Sequence, residues 1–66
     1  MKNTIRIQRA VKNITQAQLA EAIGVSRQTI NTIESGRYVP STVLALKMAK
    51  VFEKPVEELF ELDAED

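Results

Sequence analysis

The chain has 66 residues, with 9 Lys and Arg balanced by 9 Asp and Glu, no histidine and no cysteine. That length holds one domain with a small core, and without Cys or His it has no disulfide framework, no zinc site of the usual kind and no histidine-based catalysis. The longest apolar run, Val43-Leu44-Ala45-Leu46, is far below the roughly 18 residues of a membrane span, and the polar, charged first turns do not read as a signal peptide, so a cytoplasmic protein with no membrane partner, metal or cofactor is expected.

Five helical segments account for nearly everything. The first, Thr4–Lys12, stops at Asn13, which tolerates the left-handed conformation a helix end favours. Thr15 opens the second as its N-cap, with Gln18 three residues on as in a capping box, and Gly24 ends it. Ser26 caps the third, which runs to about Glu34 before Gly36 terminates it. Val39-Pro40-Ser41 opens a fourth, about Thr42–Phe52, on apolar positions Val43, Leu46, Ala49 and Val51 or Phe52. Pro55 suits the first position of a short fifth helix, with Glu57 and Glu58 near its positive end. The acidic tail Glu61–Asp66 reads as frayed, although Glu61-Leu62 could pair with Met1–Asn3 as a short strand. The fold class is all-α.

Zero net charge argues against a nucleic-acid partner until its distribution is considered. Residues 1–40 carry six cations against two carboxylates, a balance of +4, and residues 41–66 carry three against seven, a balance of −4. A basic half can face an anionic partner while the acidic half faces away.

The second and third helices, with the tight turn between them, have the layout of a helix-turn-helix, whose second helix enters the DNA major groove. Ala20 is small where two backbones approach, and Gly24 takes the positive φ of the turn. Leu19, Ile23, Val25, Ile30 and Ile33 form the inner face that sets the angle. On the outer face of the third helix stand Arg27, Gln28, Asn31 and Thr32, at i, i+1, i+4 and i+5. Arg is bidentate to guanine, Gln or Asn to adenine, and Thr offers a methyl to thymine. A helix with no outside role more commonly carries Glu and Lys pairs, which form helices better. Gln16 begins the second helix beside unpaired N–H groups that suit a phosphate. Arg37 and Tyr38 follow the third helix on a loop, and Ser41 adds a hydroxyl; such contacts set register without reading sequence.

The residues Thr15-Gln16-x-x-Leu19-Ala20, Ile23-Gly24-Val25-Ser26-Arg27-Gln28-Thr29-Ile30 and Ile33-Glu34-x-Gly36-Arg37-Tyr38-x-Pro40-Ser41 resemble the XRE family, helix-turn-helix proteins typified by phage repressors and Cro. Leu46-Lys47-Met48-Ala49 and Glu57-Glu58-Leu59-Phe60 look like its closing helices, so the likeness covers about residues 4–60. It implies a five-helix, phage-repressor-like DNA-binding domain spanning residues 1–66, with its helix-turn-helix core at 15–34, acting as a compact dimeric repressor. It also implies that Gln16 binds phosphate and braces Gln28. Arg27, Gln28 and Thr32 take the base-reading positions, with Asn31 beside them. Arg9 and Glu34 match an internal ion pair, the alternative for Arg9 being a direct phosphate contact. Gln8 departs from the family pattern, which places an apolar or aromatic residue there. Either the first helix is rotated, or Ile7 and Val11, apolar at i, i+4, serve a second surface.

Val56, Leu59, Phe60 and Leu62 carry more apolar surface than so small a domain easily buries. They are the expected homodimer interface, in a segment of about 55–62, unless they cap the monomer's own core. A dimer reads two half-sites about one helical turn apart (~34 Å) on a palindromic double-stranded DNA operator. A protein-interaction module of the antitoxin type is the alternative, its acidic tail gripping a basic partner. An enzyme is a poor fit because nothing supplies a nucleophile–base pair, and the carboxylates Glu57, Glu58 and Glu61 are explained by the helix dipole and solubility. RNA reading is disfavoured by the lack of an exposed aromatic set.

Overall fold

In the computed structural model, which describes Met1–Asp66, three of the five helices open on a side-chain cap. The order is β1 Lys2–Asn3, α1 Ile5–Lys12, α2 Gln16–Ile23, α3 Arg27–Glu34, α4 Thr42–Phe52, α5 Val56–Leu59 and β2 Phe60–Glu61. Thr15 and Gln18 form the capping box of α2, each side chain bonded to the other's backbone N–H. Ser26 Oγ accepts from the Thr29 N–H at 3.1 Å, and Ser41 Oγ from the Leu44 N–H at 3.2 Å. These bonds satisfy donors that a helix start leaves open. Asn13 (φ 58°) and Gly24 (φ 78°) end α1 and α2 in the left-handed region, and Glu53 (φ 54°) does the same for α4 without glycine's freedom.

The termini close over the bundle. Strands β1 and β2 pair antiparallel, Lys2 opposite Glu61 and Asn3 opposite Phe60. The expected pairing with Glu61-Leu62 is thus shifted by one residue. Phe60 is turned inward, and Leu62, which lies past the end of β2, is left 72% exposed. Asn3 stitches three elements: its Oδ1 accepts from the Ile5 N–H at 3.1 Å, and its Nδ2 donates to the Ile33 carbonyl at 2.9 Å. The tail does not fray as expected. Asp63 and Asp66 lie 2.9 and 3.3 Å from the Met1 amine.

The core takes residues from every helix: Ile5 from α1; Leu19, Ala20 and Ile23 from α2; Ile30 and Ile33 from α3; Met48 and Phe52 from α4; and Leu59 from α5, with Phe60 alongside. Leu59 is fully covered and Phe60 nearly so. These two therefore cap the protomer's own core and are not free for a dimer interface. Val56 is half-buried against the same core, which leaves Leu62 as the exposed member of that expected set.

Two helical faces differ from the sequence pattern. On α4, Val43 and Leu46 point to solvent, 61% and 57% exposed, while Leu44, Ala45, Met48 and Phe52 turn inward. The helix is apolar around most of its circumference, so a 3.6-residue period admits two stripes, and the one carrying Met48 and Phe52 buries more surface. On α1, Ile5 is buried and Gln8 and Arg9 are half-buried, while Ile7 and Val11 are exposed. Ile7 and Val11 thus belong to a second surface. No helix is long and apolar enough to cross a membrane.

Candidate nucleic-acid interface

Helix α3 has one buried face and one open face. Ile30 and Ile33 anchor it in the core, and the turn before it is closed by Gly24 and Val25 N–H groups that both donate to the Ala20 carbonyl, at 2.9 and 3.0 Å. On the open face Arg27, Gln28 and Asn31 are exposed and Thr32 is half-buried. The Thr32 hydroxyl donates back into the helix, toward the carbonyls of Gln28 (3.1 Å) and Thr29 (2.9 Å). Its proton is thereby engaged, and what remains for a ligand is a methyl group and oxygen lone pairs.

Behind that face lies a network of charge and amide groups. Arg9 forks onto Glu34, Nε to Oε2 at 2.6 Å and Nη2 to Oε1 at 3.1 Å, and its Nη1 donates to the Ile14 carbonyl at 3.1 Å. This two-bond arrangement is the strongest geometry an ion pair of this kind adopts. The Glu34 side chain has no exposed surface and Arg9 keeps 16%. Arg6 Nε adds positive charge 3.6 Å from Glu34 Oε1. Burial pushes the Glu34 carboxyl up, but hydrogen bonds from Arg9 and Gln16 and the charges of Arg9 and Arg6 outweigh it and hold it below the ordinary carboxylate value. The bond to Glu34 likewise raises Arg9 against the opposing effect of burial.

Gln16 does not brace Gln28. Its Nε2 donates to Glu34 Oε1 at 3.1 Å and to Asn31 Oδ1 at 3.4 Å. The reason is the carboxylate, a stronger acceptor than a neutral amide, which draws the side chain along α3 and away from Gln28. With both amide protons so used, an anion here would meet the backbone N–H groups of Gln16 and Ala17. These open α2 beside a depression lined by Arg9, Asn13, Ile14, Thr15, Gln16, Ala17 and Arg27.

At the other end of α3, Gly36 (φ 81°) turns the chain into a loop on which Arg37, Tyr38 and Ser41 are exposed. Arg37 and Tyr38 join Thr29 and Thr32 in lining a shallow depression along α3. Ser41 already accepts from the Leu44 N–H, so its hydroxyl proton is the part left to donate.

Charge pairing sharpens the reading of the basic half. Lys2 faces Asp63, Arg6 and Arg9 face Glu34, and Lys12 faces Glu53. Of the six cations in residues 1–40, Arg27 and Arg37 are the two outside any ion pair, and they stand at opposite ends of α3. Arg6 and Asn3 were not singled out from sequence. Arg6 lies three residues before Arg9 on one helical face, and Asn3 is a capping residue type just ahead of a helix, so both carried a signal.

A family described as Helix-turn-helix matches residues 5–59. An uncharacterized HTH-type transcriptional regulator of Methanocaldococcus jannaschii is 52% identical over 60 residues, 91% of each chain. YgzD of Bacillus subtilis, also named an HTH-type transcriptional regulator, is 46% identical over 66 residues, all of both chains. The ImmF control region 10 kDa protein of Bacillus phage phi105 is 40% identical over 45 residues, 68% of this chain and 50% of the phage protein.

Proposed function

Because the chain belongs to the helix-turn-helix family, we propose that it is a sequence-specific double-stranded DNA-binding transcriptional regulator, acting as a repressor. The observation that carries this is the open face of α3, where exposed Gln28 and Asn31 stand between the two unpaired arginines, Arg27 and Arg37. Arg27, Gln28, Asn31 and Thr32 read base edges in the major groove. The α2 N-terminus at Gln16 takes one phosphate strand, and Arg37, Tyr38 and Ser41 take the other. Arg9 and Glu34 stay inside as a brace. Repression needs only occupancy of a promoter, which suits a reader of this size.

One such module covers a few base pairs, so the operator is palindromic and a homodimer occupies it. With Leu59 and Phe60 committed to the core, Leu62 and the outer edge of Val56 are the apolar groups left at that end for a second copy. The antitoxin alternative relied on a free acidic tail, and two of its carboxylates, Asp63 and Asp66, are folded onto the Met1 amine.

The test is a mobility shift on the promoter of this protein's own gene against random DNA at physiological salt. Preferential retardation is expected, and equal or absent binding refutes the reading. Gln28→Ala should lose ~1–3 kcal/mol on the preferred site and nothing on random DNA. Arg37→Ala should weaken both alike and reduce the salt slope by about one.

A further inference from the structure

Beneath the α3 face taken above as a base reader, the hydrogen bonds run in one direction. A carboxylate only accepts, whereas an amide donates from one end and accepts at the other. Glu34 is held ionised by Arg9 and Arg6, so Gln16 must turn its Nε2 toward Glu34 Oε1, 3.1 Å away. The second proton on that nitrogen is aimed at Asn31 Oδ1, 3.4 Å away. Asn31 is thereby the acceptor, and its Nδ2, with two protons, is left for the exposed side of α3. Residue type alone pointed to a bidentate contact with adenine, which needs the Asn carbonyl and amino group together.

We propose that the relay Glu34–Gln16–Asn31 fixes the polarity of the Asn31 amide, turning its carbonyl toward α2 and its amino group toward the groove, so that Asn31 reads bases as a donor and selects guanine. Guanine presents two acceptors, O6 and N7, to the major groove. Adenine presents one acceptor, N7, beside a donor, and cytosine presents a donor alone. This rests on the DNA reading of α3 and adds the base that one of its residues chooses.

Two measurements on the full chain separate the claims. The first is selection of preferred sites from a randomised duplex library. One position per half-site should favour guanine over adenine by roughly tenfold. Asn31→Ala should flatten that position alone. Gln16→Leu, which frees the Asn31 amide to rotate, should bring adenine level with guanine there. An Asn31-dependent position that prefers adenine overturns the proposal, as does a guanine preference that Gln16→Leu leaves intact.

The second measurement uses no DNA: NMR hydrogen exchange at side-chain amides of the free protein. The Gln16 Nε2 protons should be slowed and the Asn31 Nδ2 protons should exchange as if in solvent. The reverse pattern in a protein that still binds a preferred site overturns the relay alone. The expected pattern in a protein without sequence preference overturns the DNA reading, and the guanine assignment with it.

Discussion

Two ion pairs leave α1 about one turn apart, and they differ in what surrounds them. Arg9 meets Glu34 through two bonds at a carboxylate with no exposed surface, and that carboxylate also holds Gln16 of α2. Lys12 meets Glu53 through one contact of 3.4 Å, with Glu53 80% exposed. The first pair joins α1, α2 and α3 behind the reading face; the second joins α1 to the end of α4 in open water. Both look alike as opposite charges in contact, yet an exposed pair is worth about 0.2–1 kcal/mol, while breaking a buried one costs about 3–5 kcal/mol because the survivor is left without a partner. Solvent exposure and the number of bonds together make the difference.

The strongest way to break that contrast is Arg9→Ala. It strands the Glu34 carboxylate, with Arg6 at 3.6 Å as a partial counter-charge, so the low end of the buried range, about 3 kcal/mol, is expected. A domain of this length has roughly 3–10 kcal/mol in all, and its Tm should fall by more than about 10 °C. Urea unfolding reads the change, and a loss below about 1 kcal/mol would put the two pairs in one class.

Acid gives a smaller version of the same test. The Glu34 carboxyl is lowered by folding, so its stabilisation is fully present above the ordinary carboxylate value of 4.5 and is lost as pH falls from there through the lower folded value. Protonation removes the charge but keeps a neutral hydrogen-bonding group, so the loss is less than that of Arg9→Ala. The acid dependence should flatten in Arg9→Ala and persist in Lys12→Ala. Equal flattening in both would mean that Glu34 is not its source.

How much of this was legible depends on what each residue competes with. Thr15, Gln18, Gly24, Ser26 and Ser41 act within three or four residues of themselves, and the helix limits they imply are the ones observed, α4 at Thr42–Phe52 included. The buried face of α4 was not legible, because Val43 and Leu46 match the helical period as well as Met48 and Phe52 do, and only the opposing surface selects between them. The strand register escaped by one residue for a related reason: Phe60 and Leu62 are both apolar neighbours of Glu61, and only the packed core shows that Phe60 is the one buried. At the candidate site, the outward position of Arg27, Gln28 and Asn31 followed from i, i+1, i+4 spacing. The partner of Gln16 did not. It depends on where the Glu34 carboxylate lies across the interface between α2 and α3, which local spacing does not encode.

The smallest effects lie at the exposed pair, where a sign is at stake as well as a size. Lys12→Ala should cost about 0.5 kcal/mol or less. Glu53, however, sits at φ 54° as the C-cap of α4, a conformation that costs a residue with a Cβ about 1–2 kcal/mol. Glycine removes that strain and gives back about 0.5–1 kcal/mol in the entropy of the unfolded chain. Glu53→Gly therefore destroys the ion pair and should still raise stability, by roughly 0.5 kcal/mol. Glu53→Ala, which loses the pair and keeps the strain, should lower it slightly. Thermal unfolding of the three variants decides the matter. If Glu53→Gly falls as far as Lys12→Ala, the surface pair outweighs the backbone and the gap between the two pairs of α1 narrows from below.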